Sequence, residues 1–204
     1  MILRIHPDNP GIRQVEKAVE ILKNGGVIIF PTDTVYGLGC DIFQPKAVEK
    51  VARIKGISIE KANFSFICHD LSHLSDFAKH VDNTTFKLMK QYLPGPFTFI
   101  LEANNKVPRV FRNKKRTIGI RIPDNNIIRT IVKELGHPVL TTSIHDEDEV
   151  HDYITDPELI HEKYKQVVNV VIDGGFGNVF PSTVIDCSGE EPVVMRQGIG
   201  EIEL

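Results

Sequence analysis

The sequence predicts one α/β domain with a mixed, twisted sheet, and two observations carry that expectation. Helical patterns of apolar residues alternate with short apolar runs along most of the 204 residues, and the C-terminal part holds more strand-like runs than helices. Interleaving points to crossover connections, and the strand-rich end points to antiparallel pairing, so the class is α/β grading into α+β. No internal repeat, low-complexity tract or interdomain linker divides the chain, so residues 1–204 are read as one domain.

The first helix is expected from Gly11 to Asn24. Ile12, Val15, Val19 and Leu22 form one apolar face. Asn9 is the expected cap, Pro10 suits the first turn, and Gly25-Gly26 supplies the stop. Val27–Phe30 follows as a buried strand, ended by Pro31. The second helix is expected from Pro45 to Lys55, where Gly56 stops it. Further strands are read at Phe64–Cys68, Phe97–Leu101, Ile118–Ile122, Val139–Thr142, Val168–Ile172, Thr183–Asp186 and Pro192–Met195. Further helices are read at Leu71–Lys79, Asn83–Tyr92, Asn126–Leu135 and Pro157–Tyr164.

Composition narrows the class. Apolar residues make up 41% and charged residues 25%, with a formal net charge of −3. A disordered chain has fewer apolar residues and a larger charge imbalance. Arg4, His6 and Asp8 interrupt the first ten residues, so no signal peptide is read there, and no stretch has the length of a membrane span. Cys40, Cys68 and Cys187 are far apart, which fits reduced thiols and a cytoplasmic protein.

The densest polar punctuation is Pro31-Thr32-Asp33-Thr34-Val35-Tyr36-Gly37-Leu38-Gly39, directly after the first strand. Small oxygen-bearing side chains and glycines suit a loop whose backbone approaches a ligand, and an ordinary turn has the same composition. Asp173-Gly174-Gly175-Phe176-Gly177 is glycine-rich but matches no standard phosphate loop. Seven basic residues and no acidic one lie between Lys106 and Arg121. Such a run suits phosphates or an RNA backbone, with Arg112, Lys114, Lys115 and Arg116 as the candidate contacts, and a solvated loop face reads the same way. The acidic run His145–His151 is a solvated loop or a site for a hard cation. No metal ligand or catalytic nucleophile is assigned.

Seven short motifs in register give a more specific signal. They are Phe30–Leu38, Arg53-Ile54-Lys55-Gly56, Pro94-Gly95-Pro96-Phe97-Thr98, Gly119-Ile120-Arg121-Ile122-Pro123, Thr142-Ser143, Pro181–Asp186 and Arg196-Gln197-Gly198. Together they resemble the YrdC-like family, whose best-known members make threonylcarbamoyl-adenylate from threonine, bicarbonate and ATP for tRNA modification. Asn63–Cys68 with Asp70-Leu71-Ser72 looks closer to the YciO branch of that family.

The resemblance implies a concave cationic cavity. It places Thr34, Tyr36 and Arg121 at the threonine or carbamate end, and Lys55, Ser143, Ser182 and Arg196 on the nucleotide. Mg²⁺ would arrive with ATP. The activity so implied is that of an L-threonylcarbamoyladenylate synthase, and the alternative is a non-catalytic protein of the same fold that binds double-stranded RNA or tRNA. Two positions depart from the synthase pattern. Ile57 replaces the arginine after Lys-Gly, and Ser143-Ile144-His145 replaces Ser-Ala-Asn.

Overall fold

The computed structural model describes residues 1–59, 62, 64–108, 116–144 and 155–204. Ten strands form one mixed sheet in the order β1-β8-β2-β3-β7-β4-β6-β5-β9-β10. In chain order these are β1 (Ile2–Arg4), β2 (Val27–Phe30), β3 (Gly37–Asp41), β4 (Ser65–Ile67), β5 (Phe97–Glu102), β6 (Thr117–Arg121), β7 (Val139–Ser143), β8 (Val170–Asp173), β9 (Thr183–Asp186) and β10 (Val193–Arg196). The helices are α1 (Ile12–Lys23), α2 (Pro45–Ile54), α3 (Leu74–Phe77), α4 (Asn83–Tyr92), α5 (Asn126–Leu135) and α6 (Pro157–Tyr164). The α/β expectation holds. Parallel pairs such as β2–β8 and β5–β9 sit beside antiparallel ones such as β2–β3 and β5–β6.

Helix ends follow local chemistry. α1 and α2 both finish with a left-handed glycine, Gly25 and Gly56. Behind each, paired bonds close the turn: Gly26 N to Ile21 O and Gly25 N to Leu22 O for α1, and Ile57 N to Ala52 O and Gly56 N to Arg53 O for α2. This is the Schellman arrangement, which satisfies the last carbonyls. Ile57 thus occupies the second position past the helix, where an apolar residue commonly packs back on the last turn.

Three expectations need correcting. Gly11, in extended conformation and with no capping side chain, is the N-cap of α1, not Asn9. The helix expected over Leu71–Lys79 shrinks to Leu74–Phe77, because Asp70 Oδ1 takes the amide of Ser72 at 2.8 Å and also its hydroxyl. Such a local turn competes with helix. The polar loop ends at Tyr36, since Gly37–Asp41 is the strand β3, paired with β2 and β7. β1, three residues beside β8, had too little pattern to be read.

Alternation across the sheet separates two faces. On one, α1 and α5 bury Ile28, Phe30, Ile67, Val139, Val170 and Ile172. On the other, α2, α3, α4 and α6 enclose the larger core, with Tyr36, Leu38, Phe66, Phe99 and Ile120 among its strand and loop residues. The register carries the α1/α5 face on through Thr141 of β7, Ser65 of β4, Gly119 and Arg121 of β6, and Thr98 of β5. None of these five belongs to the apolar cluster under α1 and α5. Beyond the two helices this face carries these polar residues beside Ile100, opposite Gly119, and Val184, opposite Thr98, and the site forms among the polar ones.

Asp82 caps α4, accepting from the amides of Thr84 and Thr85 at 2.8 and 2.9 Å and from the Thr85 hydroxyl at 2.7 Å. The Thr85 amide, first among these, holds the carboxyl below its ordinary value of 3.8. A depressed folded value means that the stabilisation is complete above the unfolded value and fades as pH falls through the folded one. The difference in urea midpoint between wild type and Asp82→Asn should therefore be largest above pH 5 and shrink towards pH 2.5. A difference independent of pH would remove the charge from the cap.

Candidate functional site

The site begins with the six-residue stretch after β2, Pro31 to Tyr36. Pro31 breaks the strand, and Thr32 then organises the turn. Its hydroxyl donates to Val35 O at 2.8 Å, accepts the Thr34 amide at 3.0 Å, and lies 3.0 Å from the Thr34 hydroxyl. This Ser/Thr-type turn presents Asp33 and Thr34 to β6. There Arg121 Nη2 donates to Thr34 Oγ1 at 2.9 Å and reaches Asp33 Oδ1 at 3.3 Å, while Asp33 Oδ2 accepts the Asp124 amide at 3.0 Å. Both charged side chains are about nine-tenths buried.

Burial dominates the electrostatics of this pair. It pushes the Asp33 carboxyl above the usual carboxylate range, and the positive charge of Arg121 and the Asp124 amide pull it part of the way back. Burial likewise lowers the Arg121 guanidinium from its ordinary value. Asp33 offsets part of that, and the positive charge of Arg196 adds to it. Arg121 and Arg196 therefore sense one another, and an anion placed between two such cations relieves both.

A second cluster lies across β5 and β9. Arg196 Nη2 donates to Ser182 O at 2.9 Å and to Ser182 Oγ at 3.4 Å, with Nε to the same carbonyl at 3.3 Å. Ser182 Oγ is 2.8 Å from Thr98 Oγ1, which ties this cluster to the polar face beside Arg121. The motifs around Ser182 and Arg196, 14 residues apart at the antiparallel pair β9–β10, are one packed unit. Gly198 N donates to Thr183 Oγ1 at 2.9 Å, and a Cβ at Gly198 would run into Pro181 O and the Ser182 backbone.

Among the described residues, two buried polar atoms on this face have no hydrogen-bond partner, Arg121 Nε and Thr141 Oγ1. Leaving such a group unpaired costs about 1–3 kcal/mol, so each calls for a partner such as a water or a ligand atom. Arg121 Nε wants an acceptor such as a carboxylate or phosphate oxygen, and a hydroxyl serves either role.

The other expected residues are placed as follows. Tyr36 is fully buried, and its hydroxyl donates to Gly175 O at 2.7 Å and accepts the Gly174 amide at 3.4 Å. It fastens the 174–181 segment to the loop. Lys55 is the C-terminal cap residue of α2, half-buried, and Ser143 ends β7 opposite Gly37. Arg116 has a positive φ of 53° and accepts the Ala103 amide just before β6. Arg112, Lys114, Lys115 and the whole of His145–His151 lie outside the described residues. Asp33, Thr98 and Thr141 belong to the site and were missed as site residues. Thr98 and Thr141 are polar residues at inward positions of apolar strands, and that alternation was the available signal.

Two arginines and a row of mostly buried hydroxyls thus come together on the polar part of a mixed sheet. The family model named Sua5_yciO_yrdC, described as telomere recombination, matches residues 20–198, and the chain belongs to that family. It is 42% identical over 200 residues to YciO of Escherichia coli K12, covering 98% of this chain and 96% of that one. The crystal structure of E. coli YciO superposes with a TM-score of 0.91 at 41% identity, over 98% of this chain and 97% of that one. Similarity to a threonylcarbamoyl-AMP synthase is lower. The Coxiella burnetii enzyme is 28% identical over 173 residues, 85% of this chain and 91% of its own. Pyrococcus abyssi Sua5 complexed with L-threonine gives a TM-score of 0.88 at 26% identity, over 97% of this chain and 57% of that one. Among the described residues, no helix is long and apolar enough to cross a membrane.

Removing one partner of a buried ion pair leaves an uncompensated charge. Asp33→Ala should destabilise the protein by about 3–5 kcal/mol in urea unfolding. A loss below about 1 kcal/mol would show that Arg121 is hydrated when unpaired and that the pair is not buried in solution.

Proposed function

We propose that this chain activates a carboxylate on a nucleotide, forming L-threonylcarbamoyladenylate or a close analogue from ATP, threonine and bicarbonate. The observation that carries the reading is the buried Arg121, held by Thr34 and Asp33 and left with an unpaired Nε beside the Arg196–Ser182 cluster. The name of the Coxiella relative and the threonine complex of the Pyrococcus one support it. In this chemistry the threonine amine and bicarbonate condense to a carbamate with loss of water, a carbamate oxygen attacks the α-phosphorus, the bond from that phosphorus to its bridging oxygen breaks, and pyrophosphate leaves. The protein need supply no nucleophile. It orients two anionic reactants and offsets the charge that spreads over the phosphoryl oxygens.

In this reading Arg121 and Thr34 take the carboxylate end, and Arg196, Ser182, Ser143 and Lys55 take the phosphates. Mg²⁺ fits only as a companion of the nucleotide. The described residues hold no group of three or more His, Cys, Asp or Glu suited to a metal, and both oxygens of Asp33 are engaged. The ion would keep water and phosphate ligands and neutralise phosphate charge. The product would feed modification of a tRNA adenosine.

Ile57 gives the reading its sharpest test. It stands where the synthases carry an arginine, and here it serves the turn that ends α2. Losing one transition-state charge contact costs about 10²–10³ in rate. Pyrophosphate release from ATP should require threonine and bicarbonate, proceed slowly in wild type, rise in Ile57→Arg, and fall in Lys55→Ala. Wild-type turnover equal to that of an arginine-bearing synthase would show that Ile57 is no handicap. Inactivity of both wild type and Ile57→Arg, with tRNA or double-stranded RNA still bound, would replace catalysis by RNA binding.

A further inference from the structure

The segment joining β8 to β9 carries the most exposed aromatic side chain of the described residues. Phe176 is 81% exposed and Phe180 is 58% exposed, with Val179 between them 42% exposed. A single exposed apolar side chain is ordinary, whereas three within five residues are a patch that calls for a partner. The segment is nevertheless firmly attached. Gly175 O accepts from the Tyr36 hydroxyl at 2.7 Å, Gly177 N donates to Thr155 O at 2.8 Å, and Asn178 N donates to Thr34 O at 3.2 Å. Asn178 Oδ1 in turn accepts the Phe180 amide at 3.0 Å. Two of these bonds end on the loop that carries Asp33 and Thr34, and Ser182 follows Phe180 by two residues. The bare rings thus stand on a backbone pinned to the anion site on both sides.

We propose that Phe176 and Phe180 form a stacking platform for the nucleobase of the nucleotide whose phosphates Arg196 and Ser182 receive. This inference rests on the nucleotide reading given above. A nucleotide joins the two chemistries that the structure places side by side, an anionic tail for the arginines and a flat π-face for an aromatic ring. Phenylalanine has no hydrogen-bonding atom, so the platform reads ring area rather than base edges. Purines should therefore bind better than pyrimidines, with little discrimination between adenine and guanine. Pinning the backbone before the ligand arrives lowers the ordering cost of binding.

The test is calorimetric titration of wild type, Phe176→Ala/Phe180→Ala and Phe176→Trp/Phe180→Trp with ATP, GTP, UTP and inorganic tripolyphosphate. Stacking on one aromatic ring accounts for a roughly 5- to 150-fold change in affinity per base. The alanine pair should lose that factor for ATP and GTP and keep tripolyphosphate affinity, and the tryptophan pair should retain ATP. Proton spectra should show upfield ring-current shifts of the adenine H2 and H8 in wild type, absent with the alanine pair. Unchanged ATP affinity in the alanine pair overturns the platform and leaves the nucleotide site standing. Equal loss of ATP and tripolyphosphate also overturns it, by placing the segment's effect on the phosphates. Wild type that binds neither probe overturns the nucleotide reading and the platform with it.

Discussion

The contact between Arg121 and Asp33 is the constraint on which the rest of the site depends. At 3.3 Å, with both side chains about nine-tenths buried, the attraction amounts to about 5 kcal/mol at an effective dielectric of ~20. Removing each ion from water costs several kcal/mol. The two effects nearly cancel, so the pair adds little net stability, yet neither member can be removed alone without a large loss. What the contact achieves is placement. It fixes the loop after β2 against β6, holds the guanidinium by one nitrogen, and leaves the buried Nε without an acceptor among the described residues.

That placement requires a sheet face with little bulk on it. A Cβ at Gly119 would meet Ser65 Oγ at 2.5 Å and Thr98 Cγ2 at 3.2 Å. On β3 a Cβ at Gly37 would lie 2.8 Å from the Phe30 ring and 2.9 Å from Thr141 Oγ1. Both glycines sit where the apolar half of the face gives way to hydroxyls and arginines. The opposite face needs no such economy, since α2, α3, α4 and α6 cover it with an ordinary apolar core. One face of the sheet is therefore packed throughout by helices, and on the other the helices α1 and α5 end where the hydroxyls and Arg121 begin.

Much of this was legible in the sequence. Helices with strong apolar spacing, such as Asn126–Leu135, were read to the residue, and β9 likewise, because long periodic patterns and clear turn residues leave few alternatives. The strand Gly37–Asp41 was not read, since its two glycines and an aspartate give no alternation of apolar side chains. Its role is to stay thin beside Phe30, and thinness has no hydropathy signal. The motifs with Thr34, Arg121, Ser182 and Arg196 were visible as residue types. Their assembly into two linked clusters was not, because Arg121 meets Thr34 across 87 residues of sequence and Thr98 meets Ser182 across 84. Asp33 stood in plain view within the loop, but only the fold shows that its carboxylate is buried and engaged at both oxygens.

The dependence of the site on one buried charge pair is tested most directly by a double-mutant cycle. Wild type, Asp33→Asn, Arg121→Gln and the double variant would be unfolded in urea and the four free energies combined. If Asp33 and Arg121 hold one another as described, the coupling energy is about 0.5–3 kcal/mol and the double variant is less damaged than the sum of the singles. Additivity within about 0.3–0.5 kcal/mol would contradict the account, because it would mean that loop and strand are positioned independently of this contact.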